Sequence, residues 1–273
     1  MPKNITIIEP KKGANGIDLK ELCEYRELAW VMVMRDIKVR YKQTVLGVVW
    51  AVIQPITVMV IFSLIFGRLA KIPSEGFPYP VFVFSGLLAW NLFSSAVSSA
   101  SVSLLGASNM ISKVYFPRLI IPIASIGVSV IDFLISFVIL LSLMLIFSVS
   151  LSWQIVFFPI FIIGLIASAI GLSAWLTAIT VVYRDFRFVL PFMIQIWMYV
   201  TPVIYPLSFI PKNWQWVIYL NPIAGWVGGV RASILGTDID WLSVFCSFGF
   251  TLAILYFGLR YFKQAEQRFA DVI

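Results

Sequence analysis

The stretch 35–55, RDIKVRYKQTVLGVVWAVIQP, changes abruptly from charged to apolar. Its first eight residues include five charges, whereas the twelve residues from Thr44 to Pro55 include none. A central Lys or Arg costs roughly 2.5–3.5 kcal/mol on membrane-insertion scales, so such a boundary fixes where a chain enters the bilayer. We therefore expect a basic helix on the membrane surface that continues into a membrane-crossing helix.

The rest of the chain is unusually apolar. It is 60% hydrophobic and 12% charged, against roughly 45–50% and 25% in soluble domains. These values predict an all-α integral membrane protein, and neither tail is long enough to bury a soluble core. We divide the chain into a cytoplasmic arm (1–17), an amphipathic interfacial helix (18–43) and a transmembrane domain (44–273). Asp18 is the expected N-cap of the interfacial helix.

Six apolar runs reach the roughly 20 residues needed to cross a bilayer. We place the six transmembrane helices near 44–66, 80–105, 119–147, 154–182, 188–210 and 241–262. Segment 211–235 is also apolar, but Pro222, Gly225, Gly228 and Gly229 interrupt it. We expect it to form two short re-entrant helices on the outer side rather than a seventh crossing.

The distribution of cations supports this topology. With both termini in the cytoplasm, 16 of the 20 Lys and Arg residues lie on the cytoplasmic side. The outside receives Arg68, Lys71, Lys212 and Arg231. This asymmetry agrees with the positive-inside rule, and a seventh crossing would break it by moving the basic C-terminal tail outside.

Segment 108–118, SNMISKVYFPR, connects the second and third predicted spans on the cytoplasmic side. Met110, Ile111, Val114, Tyr115 and Phe116 give it more apolar surface than a simple connector needs. Either this loop lies on lipid or it docks another protein. The chain has no G-x-x-x-x-G-K-[ST] sequence, so it lacks the usual loop that cradles ATP phosphates. Any ATP-derived energy must therefore come from a partner.

No metal site or cofactor is expected in this chain. It contains no histidine, and its two cysteines lie far apart without metal or redox spacing. Asp238-Ile239-Asp240 mimics the D-x-D of nucleotide-sugar transferases, but it falls on the predicted outer side. Asp240 is more simply the N-cap of the sixth span.

Four sequence features, taken in order, resemble the permease subunit of ABC-2 type polysaccharide exporters, which move O-antigen, capsule or teichoic acid chains. The features are the R-D-x-K-x-R-Y-K…L-G…W…Q-P pattern at 35–55, K-V-Y-F-P-R at 113–118, Tyr183-Arg184-Asp185, and Asn221-Pro222 before Arg231. The resemblance covers nearly the whole chain. It implies a homodimer of permeases bound to two separate ATPase subunits, which carry the ATP and Mg.

The resemblance also assigns roles to two segments. The segment that matches the ATPase-coupling helix comprises Ser108, Asn109, Met110, Ile111, Ser112, Lys113, Val114, Tyr115, Phe116, Pro117 and Arg118. The segment 211–235 matches re-entrant helices near the external mouth, with Trp214, Trp216, Tyr219, Trp226 and Arg231 as its candidate residues.

A lipid-linked substrate would place its pyrophosphate near the basic stretch. Arg35, Lys38, Arg40 and Lys42 are the candidate residues for this head group, because fixed cations attract phosphate and Arg can bind two of its oxygens at once. Their alternative role is to bind anionic membrane lipids and set the topology, at about 1 kcal/mol each.

Several residues inside the predicted spans have two possible roles. Asp132 is the acidic residue well inside a span, and without a charged partner there it indicates packing more than proton transfer. The serines at 94, 95, 98, 99, 101 and 103 could line a pore, but close helix packing is the simpler role. Aromatic rings stack on sugars, so Trp197, Tyr199 and Tyr205 are candidates for a glycan path.

The sequence therefore predicts a non-enzymatic permease in the bacterial inner membrane. Together with its ATPase it would export a polyprenyl-pyrophosphate-linked polysaccharide, and no nucleic-acid partner is expected. The alternatives are an ABC-2 exporter of lipids or drugs and an integral membrane glycosyltransferase. The glycosyltransferase would need clustered carboxylates or histidines at one membrane depth, which the sequence does not offer.

Overall fold

The computed structural model describes residues 19–42, 45–111, 113–266 and 269. The predicted arm at 1–17, the Asp18 cap, Ser112 and the side chains of Lys42, Ser108 and Asn109 lie outside this description. The described residues form helices and connecting turns without a β-strand. The α-helices are α1 (Leu19–Glu24), α2 (Arg26–Lys42), α3 (Val45–Phe62), α4 (Tyr79–Gly106), α5 (Ser108–Ile111), α6 (Ile120–Ile146), α7 (Phe158–Val182), α8 (Phe186–Val200), α9 (Gln215–Tyr219), α10 (Ala224–Leu235) and α11 (Trp241–Glu266).

Five helical segments in the described residues are long and apolar enough to cross a membrane. They are Val49–Leu69, Tyr79–Gly106, Ile120–Ile146, Trp153–Val182 and Trp241–Glu266. The first includes a π-helical stretch, Ser63–Leu69, that continues α3. These segments agree with five of the six predicted spans to within a few residues at most ends. The chain is therefore an all-helical, multi-pass membrane protein.

The fifth predicted span differs from the structure in its second half. It was placed at 188–210, but α8 ends at Val200 and is too short to meet the same criterion. The chain then turns at 201–205. This turn contains Pro202 and is followed directly by Pro206. Proline lacks the backbone N–H that a helix interior requires, so the apolar run continues while the helix does not.

Helix α4 forms the centre of the fold. Its residues from Val81 to Trp90 are all buried, and it packs against α6, α7 and α10. Helices α7 and α11 pack closely because both carry glycine where they meet. A Cβ atom added at Gly258 would lie 2.0 Å from the carbonyl oxygen of Gly171. By contrast, α8 leaves most of its apolar side chains exposed, and α3 exposes Val49, Trp50, Ile53, Val60 and Ile61.

The predicted interfacial helix is divided in two by a turn at Tyr25, and its second part, α2, packs on α6. Val33 of α2 packs directly over Gly127 of α6. A Cβ atom added at Gly127 would lie 2.9 Å from the methyl carbons of Val33. Met32 is buried, whereas Trp30 and Val39 are exposed. One side of α2 is thus bound to the protein and other apolar side chains remain uncovered.

Segment 211–235 contains two short α-helices, α9 and α10, as predicted. The break falls at Pro222, whereas Gly225, Gly228 and Gly229 lie within α10 and do not interrupt it, contrary to the prediction. Between them lies the Asn221-Pro222 pair. Helix α10 is almost entirely buried against α4, α7 and α11, and it ends at Gly236, which has a positive φ of 82°. Leu242 and Ser243 donate their backbone N–H groups to Asp240 Oδ1, which confirms Asp240 as the N-cap of α11.

Candidate functional site

A cavity of about 360 Å³ lies among α2, α3, α4, α6 and α8, and its wall is partly polar and partly apolar. Helix α4 supplies Trp90, Asn91 and three of the six predicted serines to its wall. Ser94, Ser95 and Ser98 line the cavity, whereas Ser99, Ser101 and Ser103 do not. The predicted serines therefore divide between a polar wall and helix packing.

The other helices complete the polar wall. Helix α3 contributes Gln54, α8 contributes Gln195, and α6 contributes Ser129 and Ser136. The Oγ of Ser129 is buried and makes no hydrogen bond within the described part of the chain. A buried hydroxyl without a partner costs free energy, so a local shift of α6 that brought this hydroxyl a partner would stabilise the wall.

Arg40 and Asp132 also line this cavity, and they form an ion pair. The Arg40 Nη2 atom lies 2.8 Å from Asp132 Oδ2, while the hydroxyl of Tyr41 donates to the other carboxylate oxygen, Oδ1. The prediction that Asp132 lacks a charged partner is wrong. Its partner comes from α2, some 90 residues earlier in the chain, because α2 packs directly on α6.

The ionisation of Tyr41 responds to this environment. Burial, followed by the hydrogen bond to Asp132 and the charge of that carboxylate, raises the pKa of Tyr41 to about 12. The phenol therefore stays protonated at neutral pH and remains a donor to Asp132.

The candidate head-group residues whose side chains the structure describes, Arg35, Lys38 and Arg40, do not form one cluster. Arg35 and Lys38 are three residues apart on α2, whereas Arg40 lies about 140° around the helix from Arg35. Arg35 is exposed and pairs with its neighbour Asp36 at 2.8 Å. Arg40 is thus the predicted head-group residue that lines the cavity.

The predicted aromatic path also divides. The ring of Trp197 is half-buried and packs edge-on against Phe93 and Trp90, with centroids 5.4 and 6.3 Å away. Its Nε1 donates to Asn221 Oδ1. Tyr199 is exposed, and the Tyr205 hydroxyl donates to the carbonyl groups of Tyr199 and Val200. Of these aromatic residues, Trp90 lines the cavity, and the sequence prediction omitted it.

The candidate coupling segment is divided between exposed and buried side chains. Val114 and Tyr115 are 58% and 75% exposed, whereas Phe116 is 4% exposed and belongs to a core cluster with residues of α2, α6, α7 and α11. Tyr115 therefore remains available to another protein. Phe116 contributes to the fold of its own chain.

The end of this segment is attached to α11. The Arg118 backbone N–H donates to Glu266 Oε1, and Arg118 Nη1 donates to the Glu266 carbonyl at 2.6 Å. Lys263 forms an ion pair with the same Glu266 side chain at 2.9 Å. The Arg118 guanidinium also lies 5.9 Å from the centre of the Phe269 ring.

The outer candidates include one fully enclosed cation. Arg231 is buried, donates to the carbonyl groups of Val203 and Tyr205, and stacks 4.1 Å from the centre of Phe82. It therefore holds the turn after α8 against α4. Trp226 is buried and donates to Thr251, whereas Trp214 and Trp216 are exposed and Tyr219 is partly buried.

Sequence comparison places this arrangement among known proteins. Residues 27–235 match the ABC-2 type transporter family. The chain is 27% identical to the O-antigen export system permease protein RfbA of Klebsiella pneumoniae, covering 90% of this chain and 95% of that protein. It is 26% identical to the protein of the same name in Myxococcus xanthus, over 93% and 98%. It is 25% identical to the polysialic acid transport protein KpsM of Escherichia coli, over 86% and 92%. The matched family covers well over half of the sequence and all the helices that line the cavity, and this chain therefore belongs to the ABC-2 type transporter family of membrane proteins.

Proposed function

We propose that this chain is the permease subunit of an ATP-driven exporter. It would move a polyprenyl-pyrophosphate-linked polysaccharide out of the cytoplasm across the bacterial inner membrane. The active assembly would contain two copies of this chain and two ATPase subunits. Both termini and segment 108–118 would face the cytoplasm, with 211–235 on the outer side and α2 in the membrane interface. Helix α8 and the turn after it would complete a sixth crossing.

The cavity is the observation that carries this proposal. Its wall combines an indole ring, Trp90, with the hydroxyl and amide groups of serines, Asn91, Gln54 and Gln195. Hydroxyl and amide groups exchange hydrogen bonds with sugar hydroxyls, and an aromatic face packs against sugar C–H groups. The wall also includes apolar side chains such as Val58, Leu88 and Phe133, and this mixture of polar and apolar groups suits a glycan, which presents both hydroxyl groups and C–H faces.

The names of the relatives support the same substrate class. Two of them are O-antigen export permeases and a third transports polysialic acid. These are polysaccharides of different composition, which fits a wall that offers many weak polar contacts rather than one specific pocket.

A bulky substitution in the cavity tests the glycan path. Ser98→Trp would fill part of the cavity, so export of polymer to the cell surface should fall at least about tenfold per assembled transporter. Ser142→Trp is the matched control, because Ser142 is exposed on α6 and does not line the cavity. Normal export by Ser98→Trp would contradict a path through this cavity.

A substitution that keeps the positive charge tests whether Arg40 binds the head group. Arg40→Lys retains the cation, and so the topology signal and attraction to anionic lipid, but removes the planar fork that binds two phosphate oxygens. Export should decrease while expression and ATPase binding persist. Arg260→Lys is the control. Arg260 is exposed on α11 and donates a hydrogen bond to the hydroxyl of Tyr256 on the same helix. Equal export by Arg40→Lys and the wild type would contradict the head-group role of Arg40.

A further inference from the structure

In the cavity, the carboxylate of Asp132 accepts from two different side chains. Each oxygen of the Asp132 carboxylate has its own donor, Arg40 for Oδ2 and Tyr41 for Oδ1. The Arg40 side chain is 51% exposed and that of Asp132 is 20% exposed. Arg40 is therefore accessible from the cavity, whereas the carboxylate lies deeper.

The charges that line the cavity cancel. Among its lining residues, all within the described part of the chain, Arg40 is the one cation and Asp132 the one anion. A phosphate that enters the cavity meets an arginine already paired with a carboxylate. Phosphate and carboxylate oxygens have similar geometry toward a guanidinium, so both can bind the same N–H groups.

Tyr41 determines what happens to the carboxylate when Arg40 changes partner. A carboxylate left without a donor in a poorly solvated site is strongly disfavoured. The Tyr41 hydroxyl, on the adjacent residue of α2, continues to donate to Asp132 Oδ1 and reduces this cost.

We propose that Asp132 is a built-in competitor of the substrate's diphosphate group for Arg40. The diphosphate binds Arg40 by displacing the Asp132 carboxylate, which stays hydrogen-bonded to Tyr41. This competition weakens binding enough for an exported head group to leave the site again. The inference rests on the proposed function, because it takes the diphosphate of a polyprenyl carrier as the ligand.

Binding of farnesyl pyrophosphate to the full-length chain in phosphatidylcholine nanodiscs tests the proposal. Asp132→Asn removes the partner that the diphosphate must displace from Arg40 and should lower the Kd at least about fivefold, because a hydrogen bond between charged groups no longer has to be broken. Tyr41→Phe should raise the Kd, because displacement then leaves the carboxylate without its second donor. The two substitutions should thus change the Kd in opposite directions, whereas a purely structural role of both residues would weaken binding in both variants.

Two controls isolate the effect of Asp132. Asp185→Asn makes the same change in net charge at an exposed position outside the cavity and should leave the Kd unchanged. In an Arg40→Gln background, Asp132→Asn should give no gain. Farnesol, which lacks the diphosphate, should bind equally to the wild type and to Asp132→Asn.

Four results would overturn the inference. They are an unchanged or higher Kd in Asp132→Asn, a gain that persists in the Arg40→Gln background, an equal gain for farnesol, or an equal gain for phosphatidylglycerol, which would assign the site to membrane lipid. Failure confined to these comparisons would leave the proposed function intact. Absence of farnesyl pyrophosphate binding in the wild type would overturn both the inference and the head-group role, whereas the Ser98→Trp export assay tests the glycan path separately.

Discussion

The contact between Gly171 of α7 and Gly258 of α11 predicts a large effect for the smallest possible substitution. In Gly258→Ala the new methyl group would lie 2.0 Å from the Gly171 carbonyl oxygen, and Cβ contacts under 3.0 Å are essentially never observed. The helices must therefore separate by about 1 Å, the difference between these two distances. Because the obstacle is backbone, no side-chain rotation can relieve it.

The expected magnitude follows from two opposing terms. Inserting a methyl group into a packed contact typically costs about 1–3 kcal/mol, and the rigid backbone on both sides favours the upper part of this range. Replacing Gly by Ala inside a helix returns about 0.5–1 kcal/mol. We expect Gly258→Ala to lower the free energy of unfolding by about 1–2 kcal/mol after this gain is subtracted.

The same helix provides the control. Gly249 is exposed, and a Cβ there would have no atom within 4 Å. Gly249→Ala should therefore stabilise the chain slightly. Unfolding of the purified protein in mixed micelles with increasing SDS, followed by circular dichroism, measures both variants. If the Gly258→Ala variant were as stable as the wild type, α7 and α11 would not pack as closely as described.

Three further predictions concern the coupling segment, the topology and pH. Tyr115→Ala should weaken retention of the ATPase without destabilising the chain, whereas Phe116→Ala should lower the free energy of unfolding by about 3–5 kcal/mol as a core truncation; co-purification and unfolding curves separate the two effects. In a chain without its native cysteines, an impermeant thiol reagent added to intact cells should label Cys introduced at Asn213 but not at Val114, and the reverse pattern would refute the proposed orientation. The folded-state pKa of Tyr41 exceeds the usual 10, so the contribution of Tyr41 to stability is complete below pH 10 and is lost between pH 10 and about 12. The stability of Tyr41→Phe should therefore fall less steeply over this pH range than that of the wild type. Identical curves of stability against pH would contradict this expectation.

Most of the helices could be predicted from the sequence because the cost of burying charge acts locally. The spans near 80–105, 119–147 and 154–182 were predicted to within a residue or two. Charged residues mark the predicted cytoplasmic ends of these runs, whereas the turn between 147 and 154 is marked by serines at 148, 150 and 152. The run through 201–210 was the exception. Its composition is apolar, but Pro202 and Pro206 lack the backbone N–H groups that would continue α8, and hydropathy alone does not reveal this.

The cavity was harder to predict because its wall is assembled from distant parts of the chain. Gln54, Asn91 and Gln195 each stand in a different apolar run, and together they were the available signal for a polar site inside the bundle. The Arg40–Asp132 pair could not be predicted from spacing. We expected the polar side of α2 to face water and lipid, whereas one edge of it packs on α6 and meets a carboxylate in that helix.

The attachment of Arg118 to Glu266 has a mechanical consequence. Arg118 follows the exposed Tyr115 by three residues, and through Glu266 it is fixed to the last turn of α11. Helix α11 in turn has no slack against α7, since their backbones touch at two glycines. A displacement applied at Tyr115 would therefore pass through Arg118 and Glu266 to α11, and from α11 to α7 across their glycine contact.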